Sequence, residues 1–301
     1  MDQSLLLANA ADPATDPADD LPPPVRGRWL RPFKTDRKAQ FGIVVLLLLV
    51  FCALFGPYLT PYDPTEPSFE LTMSPPSLAH PLGIDDLGRD VLSRLIAGAQ
   101  VSLIVGLSTV AISLVIGVAL GLAAGYFGGW IDFVVMRYID LQWAFPNFII
   151  AVYMVAVFGT GLWNVIIAVS LAYLDDFARI ARGMVLTIKQ EQYIDAARTV
   201  GCSHWRILLR HVLPNAGAPL IVQATVSVSY AILAEAGLSF LGLGVDADTP
   251  TWGLILAESR TFISRAWWLG VFPGLFIMLT VLSINFVGDA LRDALDVRET
   301  A

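Results

Sequence analysis

Five intervals of this sequence carry no Asp, Glu, Lys, Arg or His: 39–62, 95–131, 141–174, 212–234 and 266–288. Each is at least as long as the roughly 20 apolar residues that take a helix across a bilayer. Inside lipid the backbone must satisfy its own hydrogen bonds, so such intervals predict helices rather than open sheet. With 56% hydrophobic and only 15% charged residues, the chain reads as an all-α polytopic membrane protein and not as one water-soluble core.

Three intervals fit one span each. In 95–131 the tail around Gly128, Gly129 and Trp130 reads as a turn with an interfacial aromatic, which leaves one span at about 101–124. Interval 141–174 is short for two spans, yet Gly159 and Gly161 divide it as a tight reversal would. Span three then starts near Phe133 and span four ends near Ala178, with Arg137, Asp140, Asp175 and Asp176 near the cytoplasmic boundary. Six transmembrane helices result, and five is the alternative.

A cytoplasmic N-terminus leaves only Arg89, Arg94, Arg260 and Arg265 of the 19 basic residues outside, the enrichment expected of short cytoplasmic flanks. The C-terminus falls on the same side. A net charge of −7 with no extended basic field makes nucleic acid a poor partner. Cys52 and Cys202 belong to different depths and predict neither a disulfide nor a metal site. The chain divides into a disordered acidic tail (1–25), unlike a signal peptide, then a basic ramp, first span and outer segment (26–98). Five further helices (99–291) and a short cytoplasmic tail (292–301) follow.

The outer segment contains HPLGIDDLGRDVLSR at 80–94, where Asp85 and Asp86 are placed to cap a helix beginning near Leu87. His80, Asp85, Asp86 and Asp90 read as a helix-start network rather than a cation site. In span two, Gly117, Gly121 and Gly125 recur every four residues and predict a seam where another helix approaches closely. Pro146 frees a backbone carbonyl and bends span three, and Asn147 beside it either lines a translocation path or bonds to the broken turn. No charge falls at mid-membrane, which argues against a proton- or sodium-coupled carrier. Glu235, near the outer end of span five, reads as a buried hydrogen-bond anchor rather than a substrate ligand. Trp252, Trp267 and Trp268 suit the outer interface or subunit contacts.

Residues 179–213 interrupt the hydropathy pattern for longer than a connection between helices needs. Ile194, Ala197, Gly201 and Trp205 recur at helical spacing, and Gly201 stops the helix. Asp195, Ala196 and Ala197 offer a small, approachable surface, followed by Trp205 and Arg206 with mixed aromatic and polar contacts. A short helix of this kind fits a groove on another protein, with an amphipathic helix resting at the lipid surface as the alternative.

With these residues the chain resembles the dipeptide and oligopeptide permease family, the second of two paired membrane subunits in binding-protein-dependent ABC importers. Asp195, Ala196, Ala197 and Gly201, closed by Leu213 and Pro214, are similar to the family's cytoplasmic coupling motif. That motif usually starts with Glu, and Asp195 keeps the carboxylate on a shorter arm. The segment at 80–94, AILAEAGLSFLGLG at 231–244, PTWG at 250–253 and GDALRDALD at 288–296 resemble further family segments in the same order.

The resemblance implies a coupling helix between spans four and five that sits in a cleft of an ATPase. It implies as partners a homologous second permease subunit, two cytoplasmic ATPase subunits, an extracytoplasmic substrate-binding protein, a peptide substrate and membrane lipid, in a bacterial inner membrane. The chain itself is then non-catalytic and binds no cofactor, with ATP and Mg2+ on the ATPases; no glycine-lysine phosphate loop occurs in it. The rival readings are a channel or scaffold regulated through the same helix, or the same importer class carrying nickel chelates or another small solute. An intramembrane enzyme lacks a nucleophile and base at helical spacing.

Overall fold

The computed structural model describes residues 30–246 and 248–296. The acidic tail, the first residues of the basic ramp and the last of the C-terminal tail lie outside the described residues. Among the described residues there is no strand, only an isolated bridge between Ile84 and Asp90.

A short α1 (Arg31–Thr35) leads into α2 (Arg37–Leu59), whose first turn is capped by the Asp36 carboxylate accepting from the Lys38 amide. Pro57 falls in the last turn of α2, which ends at Leu59, two residues before Pro61. The outer segment then folds back as turns to α3 (Val91–Phe127), a helix of 37 residues and about 55 Å. It starts at Val91, four residues beyond the expected Leu87, and contains the span expected at 101–124. Its cap also differs from the sequence expectation: Asp90 accepts from the Ser93 amide at 2.8 Å, while Asp85 accepts from the amides of Leu87 and Arg89 in the preceding turn.

Next come α4 (Gly129–Trp143) and α5 (Asn147–Phe158), separated at 144–146 and bent by 93°. Pro146, lacking an amide hydrogen, precedes the first residue of α5, so the expected bend is a complete break. Gly159 and Gly161, at φ +94° and +116°, reverse the chain into α6 (Leu162–Ala172), and Tyr173 separates α6 from α7 (Leu174–Ile188). Then α8 (Gln192–Thr199) precedes α9 (His204–Ile207), which passes through a π turn at Leu208–Val212 and α10 (Leu213–Asn215) into α11 (Gly217–Phe240). The chain closes with α12 (Trp252–Phe262) and α13 (Trp268–Asp296).

Among the described residues, four helices, α2, α3, α11 and α13, are each long and apolar enough to cross a bilayer, and α4 with α5 forms a fifth, bent candidate. The 141–174 interval yields fewer long helices than expected because α5 and α6 have only 12 and 11 residues and each adjoins another helix across a break.

The central element is α3. Where α3 meets α7, a Cβ on Gly117 would lie 2.5 Å from the Leu174 carbonyl oxygen, one on Gly125 2.8 Å from Val185 Cβ, and one on Gly121 would run into the Ala178 carbonyl. Backbones approach this closely only without side chains between them. One apolar cluster, including Val118, Phe177, Val185, Ile194, Ile207 and Leu238, joins α3, α5 to α9 and α11. A second, including Leu49, Leu95, Trp252, Trp268 and Ile277, joins α2, α3 and α11 to α13. Much of α2 faces outward with Val44, Leu47, Leu48 and Leu54 exposed, as a lipid-facing helix requires.

Candidate functional site

The segment singled out by its polarity folds as a helix that stands out from the bundle. Ile194 is its buried anchor, Ala197 is half-buried, and Asp195, Ala196, Arg198 and Thr199 are exposed. Its end is a Schellman motif: Gly201, at φ +85°, donates to the Arg198 carbonyl and Cys202 donates to the Ala197 carbonyl. The left-handed conformation is what Gly201 supplies, since a Cβ there would meet nothing within 4 Å but would be strained by the backbone. Arg198 is 3.3 Å from the Asp195 carboxylate, an exposed i,i+3 pair of little energetic weight. Trp205 is 68% exposed and Arg206 lies beside it, so the face bearing Asp195, Ala196, Trp205 and Arg206 is unoccupied by the chain's own packing.

This surface is tied to the bundle at several points. The Tyr126 hydroxyl, at the end of α3, is 2.8 Å from His204 Nδ1, and the Arg198 guanidinium lies 5.9 Å from the Tyr126 ring. Lys189 donates to the Gly125 carbonyl at 3.0 Å, and Asn215 donates to the Tyr193 hydroxyl at 3.2 Å. These bonds join the α8–α9 segment to the end of α3 and, through Asn215 of α10, to the approach to α11.

Toward the opposite end of α3, four charges form a buried network. Asp85, fully buried, accepts from Arg89 Nε at 2.7 Å and Arg94 Nη1 at 2.6 Å, and Glu258 of α12 accepts from both arginines. His80 Nδ1 is 2.9 Å from the Asp90 carboxylate. The carboxylates of Asp85, Asp86 and Glu258 converge, but Asp85 and Glu258 are already paired with guanidinium groups, the helix-start network expected from sequence with Glu258 added. Burial and the neighbouring Asp85 and Glu258 push the Asp86 carboxyl above the ordinary carboxylate range.

Two tryptophans expected at the interface are buried instead. Trp252 is 0% exposed and donates to the Leu95 carbonyl, and Trp268 is 4% exposed and donates to the Ile84 carbonyl; Trp267 alone of the three is exposed. Their indole N–H groups find backbone acceptors that local sequence does not reveal. Glu235, also 0% exposed, accepts from the Ser239 hydroxyl at 2.8 Å. Pro146 and Asn147 lie at the α4–α5 break, away from α8, and Gly117, Gly121 and Gly125 line the α3–α7 seam.

The acidic pair beginning α7 is more enclosed by protein than its sequence context suggests. Asp175 is 1% exposed, and Asp176 meets Gln223 of α11 at 3.3 Å, six residues into that candidate span. Hydropathy cannot see that the α6–α7 break carries them alongside α11. The one signal available is the pairing of two carboxylates with tyrosine at the edge of an apolar run.

A helical bundle of bilayer-length helices, with a polar helix projecting from it on a glycine-stopped turn, has the architecture of a permease subunit. Residues 117–300 match the family of binding-protein-dependent transport system inner membrane components, and residues 26–76 match the N-terminal transmembrane domain of oligopeptide transport permease C. The chain belongs to this family of inner-membrane permease subunits, multi-pass components of ABC transporters. It is 47% identical over 290 residues, 94% of this chain and 95% of the relative, to the di/tripeptide transport system permease protein DppC of Pseudomonas aeruginosa. It is 42% identical over 296 residues, 95% and 97% of the two chains, to the dipeptide transport system permease protein DppC of Alkalihalophilus pseudofirmus. To the glutathione transport system permease protein GsiD of Pectobacterium atrosepticum it is 41% identical over 274 residues, 91% of each. The fold is similar to a chain of the MetNI methionine ABC transporter in inward-facing conformations, with TM-score 0.56 and 21% identity over 68% of this chain and 97% of that one.

Proposed function

We propose that this chain is one of two paired permease subunits of an ATP-driven importer of dipeptides or oligopeptides, with α8 as the surface on which an ATPase subunit bears. The observation that carries the cargo is the 47% identity, over 94% of this chain, to a di/tripeptide permease. The mechanism rests on the exposed face of α8 and its ties to Tyr126 and Gly125. Peptide arrives from an extracytoplasmic binding protein. Two ATPase subunits bind and hydrolyse ATP with Mg2+, and this chain contributes no catalytic group. Their closure displaces α8, and α3 and α11 convert that displacement into alternating access.

In this reading the chain crosses six times, through α2, α3, α4 with α5, α6 with α7, α11 and α13, and both termini are cytoplasmic. Breaks within the third and fourth spans are acceptable where they are buried in protein or face a water-filled path. Glutathione, itself a small peptide, is the second cargo to consider, given the 41% identity to a glutathione permease.

The test is reconstitution of the four-subunit complex and its binding protein in proteoliposomes, with uptake of labelled dialanine and ATP hydrolysis measured together. Asp195→Lys, or Gly201→Val at its positive φ, is expected to release the ATPase subunits or to uncouple hydrolysis from uptake. Wild-type attachment and coupling in both variants would remove α8 from this role. Uptake of glutathione with none of dialanine would reassign the cargo.

A further inference from the structure

The break between α6 and α7 places a set of polar side chains against α11 that no packing requirement explains. The rings of Tyr173 and Tyr230 lie 6.4 Å apart and 14° from parallel, and Tyr230 is 52% exposed. Tyr230 is thirteen residues beyond the start of α11, about 20 Å along a candidate span of 24 residues, so the pair sits at depth rather than at an end. The Gln223 amide donates to one oxygen of Asp176 at 3.3 Å, which orients the carboxylate.

The simple alternative is that Asp175 and Asp176 serve the start of α7, where acidic residues oppose the helix dipole. That start has no side-chain capping bond, and Asp176 is held by α11 instead. Asp175 is 1% exposed and neither of its oxygens makes a hydrogen bond, although the Trp143 indole lies alongside. One turn on, Arg179 faces the Trp143 ring at 4.0 Å and Asp140 at 3.8 Å. Among the described residues, no cation pairs with Asp176. Gln223 lies six residues, about 9 Å, into α11, and a carboxylate there is expensive unless it is compensated; the Arg179 charge acts on Asp176 without a direct ion pair.

We infer that Tyr173, Asp176, Gln223 and Tyr230 form a transit site for a cationic head group, the terminal ammonium of a peptide passing through the membrane. This rests on the peptide-importer reading and names the part of the cargo that the path would recognise. Aromatic faces and a carboxylate are the two groups that hold an ammonium without a deep pocket. A broken helix at membrane depth is where transporters commonly place such a site. Partial exposure suits a station on a path, because binding there must be strong enough to admit the group and weak enough to release it. The side chain of the peptide meets no defined pocket at this point, so passage is tolerant of sequence while requiring a free amino terminus.

The test uses the reconstituted complex and labelled dialanine. Tyr230→p-benzoylphenylalanine, with Asp176 intact, is expected to crosslink dialanine under illumination during ATP turnover and not with ATP withheld. Asp176→Asn is expected to lower dialanine uptake per ATP hydrolysed by about tenfold, with Asp176→Glu recovering most of it and binding-protein affinity for dialanine unchanged. Wild-type uptake with no crosslinking at position 230, or unchanged coupling in Asp176→Asn, overturns the site and leaves the importer intact. Wild-type vesicles that take up neither dialanine, nor glutathione, nor a longer peptide overturn the peptide reading itself. If Asp176→Asn fails to assemble, the crosslinking arm alone decides.

Discussion

The Tyr126 hydroxyl is hydrogen-bonded to the His204 ring at 2.8 Å, joining the end of α3 to the first residue of α9, just beyond α8. The rings also meet edge to face at 5.5 Å. Tyr126→Phe keeps the ring contact and removes the bond. A net hydrogen bond contributes about 0.5–1.5 kcal/mol, so dialanine uptake per ATP is expected to fall by roughly two- to tenfold with ATPase subunits still attached. Uptake and phosphate release measured on the same proteoliposomes check this; an unchanged ratio removes the bond from the transmission path.

The α3–α7 seam is most demanding at Gly121, where a side chain would meet the Ala178 carbonyl. Backbone cannot yield as a side-chain tip does, so Gly121→Leu is expected to cost at least the roughly 1–3 kcal/mol of an overpacked core and to reduce complex yield. Gly183→Leu in α7, where a Cβ would meet nothing within 4 Å, is the control and is expected to assemble normally. Equal thermal stability of the two variants in detergent would show that the seam does not govern assembly.

Arg94 is 1% exposed and bridges Asp85 to Glu258. Arg94→Met leaves two carboxylates sharing Arg89 alone, and loss of one member of a buried ion-pair network typically costs about 3–5 kcal/mol. The expected result is a lower melting temperature and faster proteolysis in the outer segment. Adding Glu258→Gln to Arg94→Met should recover part of the loss by removing one unpaired charge. A double variant no more stable than the single one would count against the network.

Asp86 offers a pH dependence of known sign. Its carboxyl is held above the ordinary range by burial and by Asp85 and Glu258, so the folded state keeps the proton to higher pH than the unfolded chain does. Stability at this position is therefore lost as pH rises from the ordinary carboxylate range through the raised folded value, and the penalty is complete above it. Asp86→Asn, always neutral, is expected to melt higher than wild type at pH 7, with the difference shrinking as pH falls toward 4. A difference that grows on acidification would reverse the assignment.

Much of α8 was legible in sequence, because a polar interruption between apolar runs needs no knowledge of neighbours. Ile194 inside and Asp195 and Ala196 outside follow from helical spacing, and the stop at Gly201 follows from its tolerance of positive φ. The Asp85 network was only half legible: its residues within 80–94 stand together, but Glu258 lies 164 positions from Arg94. The position of Asp176 was hidden for a similar reason, since its partner Gln223 is 47 positions away.

By itself, the sequence determined a helical membrane protein, its apolar intervals, the reversal at Gly159 and Gly161, the close-packing glycines and the polar helix, since hydropathy, backbone freedom and periodicity are local properties of the chain. Tertiary structure alone decided that α4 and α5 meet at 93°, that Trp252 and Trp268 are buried, and that Tyr126, Glu258 and Gln223 meet their partners. Which polar groups compensate one another in a low-dielectric interior depends on distances of a few ångströms between residues far apart in the chain, and local pattern carries no record of those distances.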